Sequence, residues 1–263
     1  MVIDIHTHCF PDKLAPRAIA ALSRASGNME PYTDGTVSGL LSSMDRAGVS
    51  VSAVMNIATN PHQMRAVNDF AASIRSARII PFGSVHPDAP DALEELERIH
   101  ALGLPGVKFH PQYQNFRVDE ARMRPIWKKI SQLGLVTLFH AGGDIGFAEP
   151  YGSMPDALAR ALRDLDVPVV AAHWGGAFFS GEVLKHLCGL PLYFDTSFGY
   201  GVIPAPQARR IIERHGVERM LFGTDTPWHT PEQEMRLLSS LGLTEEETGR
   251  ILGENAAKLL HLN

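Results

Sequence analysis

Eight short apolar runs with strand character, separated by segments of helical pattern, govern what this 263-residue chain can fold into. The runs lie near residues 2–6, 51–57, 79–85, 106–110, 135–140, 168–173, 192–196 and 220–224. Between them, 92–102 places Ala92, Leu93, Leu96 and Ile99 on one helical face. Its glutamates sit near the start, where negative charge complements the helix dipole. Residues 38–48, 122–133, 155–165 and 206–215 read the same way, and Gly103, Gly134 and Gly216 fall where helix C-caps belong. Alternating strand and helix points to a parallel sheet with right-handed crossovers. Eight such units predict a closed (β/α)8 TIM barrel. The competing architecture, an open doubly wound sheet, wants a Gly-rich turn after the first strand, and HTHCFPDK contains no glycine. The chain reads as a single domain over 1–263, with residues 244–261 adding one or two C-terminal helices against the outside of the barrel.

Composition narrows the function classes. A formal net charge of −5 shows no basic excess, which argues against nucleic acid or an anionic membrane as partner. No apolar run approaches the ~18–20 residues of a spanning helix, and the sequence opens directly in a strand rather than a signal peptide. Cys9 and Cys188 are far apart and form no C-x-x-C pair, which fits a reducing cytoplasm. The expected partner is a small molecule.

The chemistry begins in MVIDIHTH. Asp4, His6 and His8 recur at every second position, a spacing that puts all three on one face of a regular strand. Buried imidazole and carboxylate are costly unless hydrogen-bonded or coordinated, so such a ladder is either half of a metal site or a solvent-facing edge strand. The other strand ends favour the metal. Lys108 and His110 end the fourth, His140 the fifth, His173 the sixth and Asp225 the eighth, and in a barrel all of these meet at the C-terminal rim. Imidazole and carboxylate without cysteine suit zinc, manganese or iron in an open catalytic site. A divalent ion there lowers the pKa of bound water from 15.7 towards about 7. Asp225 is a ligand that can also take the water's proton, His173 a candidate acid/base, and Asp4 a candidate carboxylate supporting His6.

DIHTH, FHAG, AHWGG and FGTDTPW, in that order after strands one, five, six and eight, resemble the amidohydrolase superfamily. The likeness is to its amidohydrolase-related branch, which includes aminocarboxymuconate semialdehyde decarboxylase. GVKFHPQYQNF and ILGENAAKLL extend it to about residue 260. The resemblance implies one divalent metal, usually zinc, held by His6, His8, His140 and Asp225, with His173 beside it as catalytic acid/base. The TatD-type nucleases also open with H-x-H, but they have a glutamate ligand where this chain has Lys108 and His110. In binuclear amidohydrolases a carboxylated lysine on strand four bridges two metals. Lys108 is expected instead to be an unmodified cation, with His110 directed towards the substrate.

Aromatic residues crowd the rim loops, Phe10, Tyr113, Phe147, Trp174, Phe198 and Trp228 among them, which suits a flat or partly apolar organic substrate. Lys108 and Arg117 are the candidates to hold a substrate carboxylate, and Trp174 to contact its body. Two reactions remain open: metal-dependent hydrolysis of an ester, lactone or amide, towards which the compact chain leans, and non-oxidative decarboxylation. A barrel that only binds metal is the remote alternative. By analogy with related barrels, a homodimer is one candidate assembly.

Overall fold

The computed structural model describes residues 1–262. Eight parallel strands alternate with helices as the sequence pattern requires: β1 (Ile3–Thr7), β2 (Val51–Met55), β3 (Ile79–Phe82), β4 (Gly106–Phe109), β5 (Val136–Phe139), β6 (Val169–Ala171), β7 (Tyr193–Asp195) and β8 (Met220–Leu221). The helices are α1 (Ala15–Ala25), α2 (Val37–Ala47), α3 (Met64–Ser73), α4 (Ala92–Ala101), the short α5 (Pro111–Gln114), α6 (Arg124–Leu133), α7 (Pro155–Ala161), α8 (Ser180–His186), α9 (Ala205–His215), α10 (Pro231–Ser239), α11 (Glu245–Gly249) and α12 (Asn255–Leu259).

The strands form a continuous ladder β1-β2-β3 and another β4-β5-β6-β7-β8. Two seams join them into a barrel. Gly83 pairs with Val107 between β3 and β4, and Thr7 pairs with Thr226 beyond the ends of β1 and β8. Ile5 N donates to Phe222 O, Asp225 N to His6 O and His8 N to Thr226 O across the second seam. The closed TIM barrel is therefore as the alternation predicts, and among the described residues no sheet edge is left open.

Apolar residues fill both sides of this wall. Phe109, Phe139 and Trp127 interlock between β4, β5 and α6, with the Trp127 ring perpendicular to both phenyl rings at 5.1 and 5.3 Å. The Trp127 indole N–H, which burial would otherwise leave unpaired, donates to Val118 O. A second cluster fills the barrel interior with Ile3, Ile5, Ala53, Leu138, Val170 and Leu221. Ala256, Leu259 and Leu260 belong to that interior cluster too. The C-terminal segment thus lies across the N-terminal mouth of the barrel, not on its outside as the sequence suggested. A π-helical turn at Arg250–Glu254 seats it there: Ile251 O accepts from Phe222 N, and Asn255 donates to Val217 O and Met220 O.

Caps set the helix starts as elementary chemistry dictates. Thr36 accepts from Gly39 N ahead of α2, and Thr230 with Gln233, like Thr244 with Glu247, forms a reciprocal capping box. Gly48 and Gly134 close α2 and α6 in the left-handed conformation. Among the described residues no helix is long and apolar enough to cross a membrane.

Candidate metal centre

The histidines of β1 reach the rim through an irregularity, not through simple alternation. The register against β2 shifts between Asp4 and Thr7. Ile3 and Ile5 pack in the interior cluster, while the chain beyond them turns His6 and His8 towards the opposite seam. Asp4 does not follow them. Its carboxylate accepts from His6 N, Thr224 N and the Thr224 hydroxyl, tying β1 to the end of β8, and burial pushes its carboxyl up to about 8.

Four of the rim imidazoles have one nitrogen committed behind them, whereas His110 Nδ1 is buried without a partner and its Nε2 stands 3.1 Å from Asp144 Oδ2. His8 Nδ1–H donates to Met55 O at 2.9 Å, and His6 Nδ1–H to Asp195 Oδ2 at 2.9 Å. His140 Nε2–H donates to Gly143 O at 3.0 Å. Ser197 gives its single hydroxyl proton to Asp195 Oδ1 at 2.5 Å, so His173 Nδ1–H must donate to Ser197 Oγ at 2.9 Å. These partners assign the tautomers. In each neutral ring the other nitrogen then carries a lone pair: His6 Nε2, His8 Nε2, His140 Nδ1 and His173 Nε2.

Those lone pairs face other acceptors. His8 Nε2 stands 3.1 Å and His6 Nε2 3.5 Å from Asp225 Oδ1, and His173 Nε2 stands 3.0 Å from His140 Nδ1. Opposed acceptors at such distances repel unless a cation lies among them. Two ligand atoms about 2.0–2.2 Å from one ion, at about 90–110° to each other, stand about 2.9–3.5 Å apart. The donor set therefore fits a divalent metal. His6, His8 and Asp225 form one candidate ligand group. His140 falls in a neighbouring group with His110 and Asp144, and it is linked to the first group through His173.

The backbone carries strain where these ligands leave their strands. His173 and Asp225 both adopt left-handed conformations, at φ +57° and +68°. Non-glycine residues pay on the order of 1 kcal/mol or more for such backbone, and it persists where surrounding structure over-determines it. Gly142 is needed for a different reason. Its φ is +77°, and a Cβ there would stand 2.5 Å from Ala177 N, where the loops after β5 and β6 meet.

Electrostatics follow from burial and proximity. Burial, reinforced by the Lys108 charge, pushes His6 down to about 3 against the pull of Asp195. Burial also holds His110 and His140 well below the usual histidine value, and His173 below it. Burial alone would raise Asp195 and Asp225. The imidazoles around them outweigh it: His6 donates to Asp195, His8, His6 and His173 surround Asp225, and both carboxyls end below the usual carboxylate range. Lys108 is buried with its Nζ 3.1 Å from His6 Nε2, a contact that a metal bound to that nitrogen would replace. Burial brings it down to about 8 against the attraction of Asp195, Asp225 and Asp144.

A cavity of about 500 Å³ opens onto this centre, lined by His6, His8, Lys108, His110, His140, His173 and Asp225. Of the rim aromatics, Phe10, Tyr113, Phe178, Phe198 and Trp228 line it, whereas Phe116 packs with Phe109 in the core. Two expected substrate contacts lie elsewhere. Arg117 has a side chain 55% exposed and pairs with Asp119, because its segment runs outside the rim. Trp174 is buried, donates to Thr196 O and lines a separate small cavity of about 180 Å³ behind His173. Asp195, Ser197 and Asp144, by contrast, belong to the centre without having been singled out from the sequence. The Asp at the end of the seventh strand is the available signal, in line with the polar ends of strands one, four, five, six and eight.

A family model described as Amidohydrolase matches residues 3–262. No curated protein matches the sequence. Among solved structures, the chain is similar to 5-carboxyvanillate decarboxylase from Sphingomonas paucimobilis, with 17% identity, a TM-score of 0.73, and coverage of 100% of this chain and 99% of that one. An uncharacterized TIM-barrel protein from Bordetella bronchiseptica superposes with a TM-score of 0.79 at 18% identity, covering 99% and 98% of the two chains. A dihydroxybenzoic acid decarboxylase from a Polaromonas species, with bound manganese and the inhibitor 2-nitroresorcinol, gives 0.71 at 16% identity over 100% and 97%. At these identities the likeness is one of fold.

Proposed function

The chain belongs to the amidohydrolase family, and on that premise we propose that it is a metal-dependent decarboxylase acting on a small carboxylated organic acid. The observation that carries this reading is the ring of inward-facing imidazole lone pairs and the Asp225 carboxylate at the base of a cavity whose sole lining Lys or Arg, among the described residues, is Lys108. His6, His8 and Asp225 would hold a divalent ion, with His140 as the further candidate ligand. Zinc is the expected ion, and manganese, present in the Polaromonas neighbour, is the alternative to load. Once bound, the ion supplies a Lewis acid beside the substrate.

The protein's own groups account for the rest. Lys108 offers a cation to the substrate carboxylate, and His110 and Tyr113 flank its seat. The bond between the carboxylate and its carbon breaks, the electron pair stays on that carbon, a proton replaces the carboxylate and carbon dioxide leaves. His173 lines the cavity, and its Nε2 takes a proton from solvent water and passes it to that carbon, the hydroxide left behind being neutralised by bulk solvent. Burial keeps its ring neutral at rest, so it relays a proton rather than storing one. Decarboxylation turns an anion into a neutral apolar product, which the largely apolar wall favours over the starting carboxylate. The decarboxylases among the structural neighbours support this reading over the hydrolysis towards which the sequence leaned. Cys9 and Cys188 form no disulfide, in keeping with work in a reducing cytoplasm.

The test is a panel of carboxylated phenols and enols against lactones, run with the metal-loaded enzyme in deuterated water. Carbon dioxide release with one deuterium at the vacated carbon is expected. Acid release from a lactone without carbon dioxide from any acid would make the protein a hydrolase.

A further inference from the structure

Lys108, Asp144, Asp225 and the histidines gather at one end of the 500 Å³ cavity, and they are all the charged or titratable lining groups there apart from Cys9 and Tyr113. The remainder runs between two helices and carries no charge. Leu14, the N-cap of α1, and Ala18 and Leu22 within it recur at intervals of four along one face, and Ala66, Val67 and Phe70 of α3 line the same cavity. This strip is distinct from the face by which α1 packs on the protein, formed by the buried Ala15 and Ile19. At its rim three large apolar side chains remain open: Leu14 is 56%, Ile145 48% and Phe178 57% exposed, and all three line the same cavity. From Leu14 to Leu22 the helix rises about 12 Å. A cavity of this volume sits within the range of about 300–1,000 Å³ that takes drug-sized ligands, with room beyond a single carboxylated ring.

We propose that the substrate carries, besides its carboxylate, an extended apolar substituent that lies along the α1 strip against α3. The occupant is a small molecule and not a protein partner, because the strip is continuous with the cavity of the metal centre. The inference deepens the decarboxylase reading and rests on it for the position of the carboxylate.

Benzoate and its para-n-alkyl series from methyl to octyl, titrated calorimetrically into the metal-loaded protein, read the arm without turnover. Affinity is expected to rise about three- to fourfold per methylene until the arm is filled, and then to level off. Leu22→Asp should flatten that slope, and Ala18→Trp, which shortens the arm, should bring the plateau to a shorter chain. A series varying less than twofold from end to end, or slopes identical in both variants and the native protein, overturns the proposal. A flat series beside carbon dioxide release from unsubstituted acids would sink the apolar arm alone. A steep series with no carbon dioxide from any acid would sink the decarboxylase reading alone.

Discussion

His8 Nε2 and Asp225 Oδ1 stand 3.1 Å apart, and in the neutral ring whose N–H the Met55 carbonyl holds, both are acceptors. Two acceptors so placed call for a cation between them.

Metal binding should stabilise the fold. At a hundredfold excess over Kd, one site adds about 2.7 kcal/mol, or about 5–10 °C in Tm for a chain of this size. Scanning fluorimetry before and after chelation measures it, and unchanged melting would leave the lone pairs unexplained.

Asp225→Asn should keep the fold, since asparagine tolerates the left-handed backbone at this position. It should lose bound metal, and kcat/KM should fall by on the order of a thousandfold. Elemental analysis separates loss of the ion from loss of the protein.

Asp195→Asn should weaken metal affinity without removing a ligand. Asp195 accepts from His6 Nδ1–H and from the backbone of His173 and Ser197, so it orients two rings at once. The expected loss is about 10–100-fold in Kd, measured by competition with a chromogenic chelator.

His215 should make stability acid-sensitive far from the metal. Its ring stacks on Phe194 at 3.8 Å and donates to Leu192 O, and burial brings it down from 6.5 to about 4. The unfolded chain then binds the proton first as pH falls. Stability present above pH 6.5 is lost progressively towards pH 4, on the order of 3 kcal/mol. The gap in Tm between native protein and His215→Gln should narrow over that window, and a constant gap would refute the assignment.

The eight strands were legible because strand and helix alternate with distinct periods, and each expected run contains an observed strand or overlaps it. Beyond the first strand, the expected ends run too long because the rim residues leave β geometry. The sixth run was expected over 168–173 and the strand is Val169–Ala171, with His173 already left-handed. The bulge in β1 was invisible for a related reason. I-D-I-H-T-H alternates in sequence, and only pairing with β2 shows that Ile5 stays with the interior while His6 goes to the centre. Asp195 acts through His6, a partner 189 residues away, so no local pattern announces it. Arg117 was drawn in by its charge alone, and in three dimensions Asp119 neutralises it outside the cavity.

The seam between β1 and β8 gives the centre a mechanical aspect. His8 and Asp225 flank that seam and are separated by 217 residues of chain. An ion holding both would cross-link the two ends of the barrel much as a disulfide closes a long loop, at the seam that the backbone hydrogen bonds of Ile5, His8 and Asp225 close. Opening of the barrel at this join and release of the ion would then be one event, observable as amides of Ile5, His8 and Asp225 that exchange together once the metal is withdrawn.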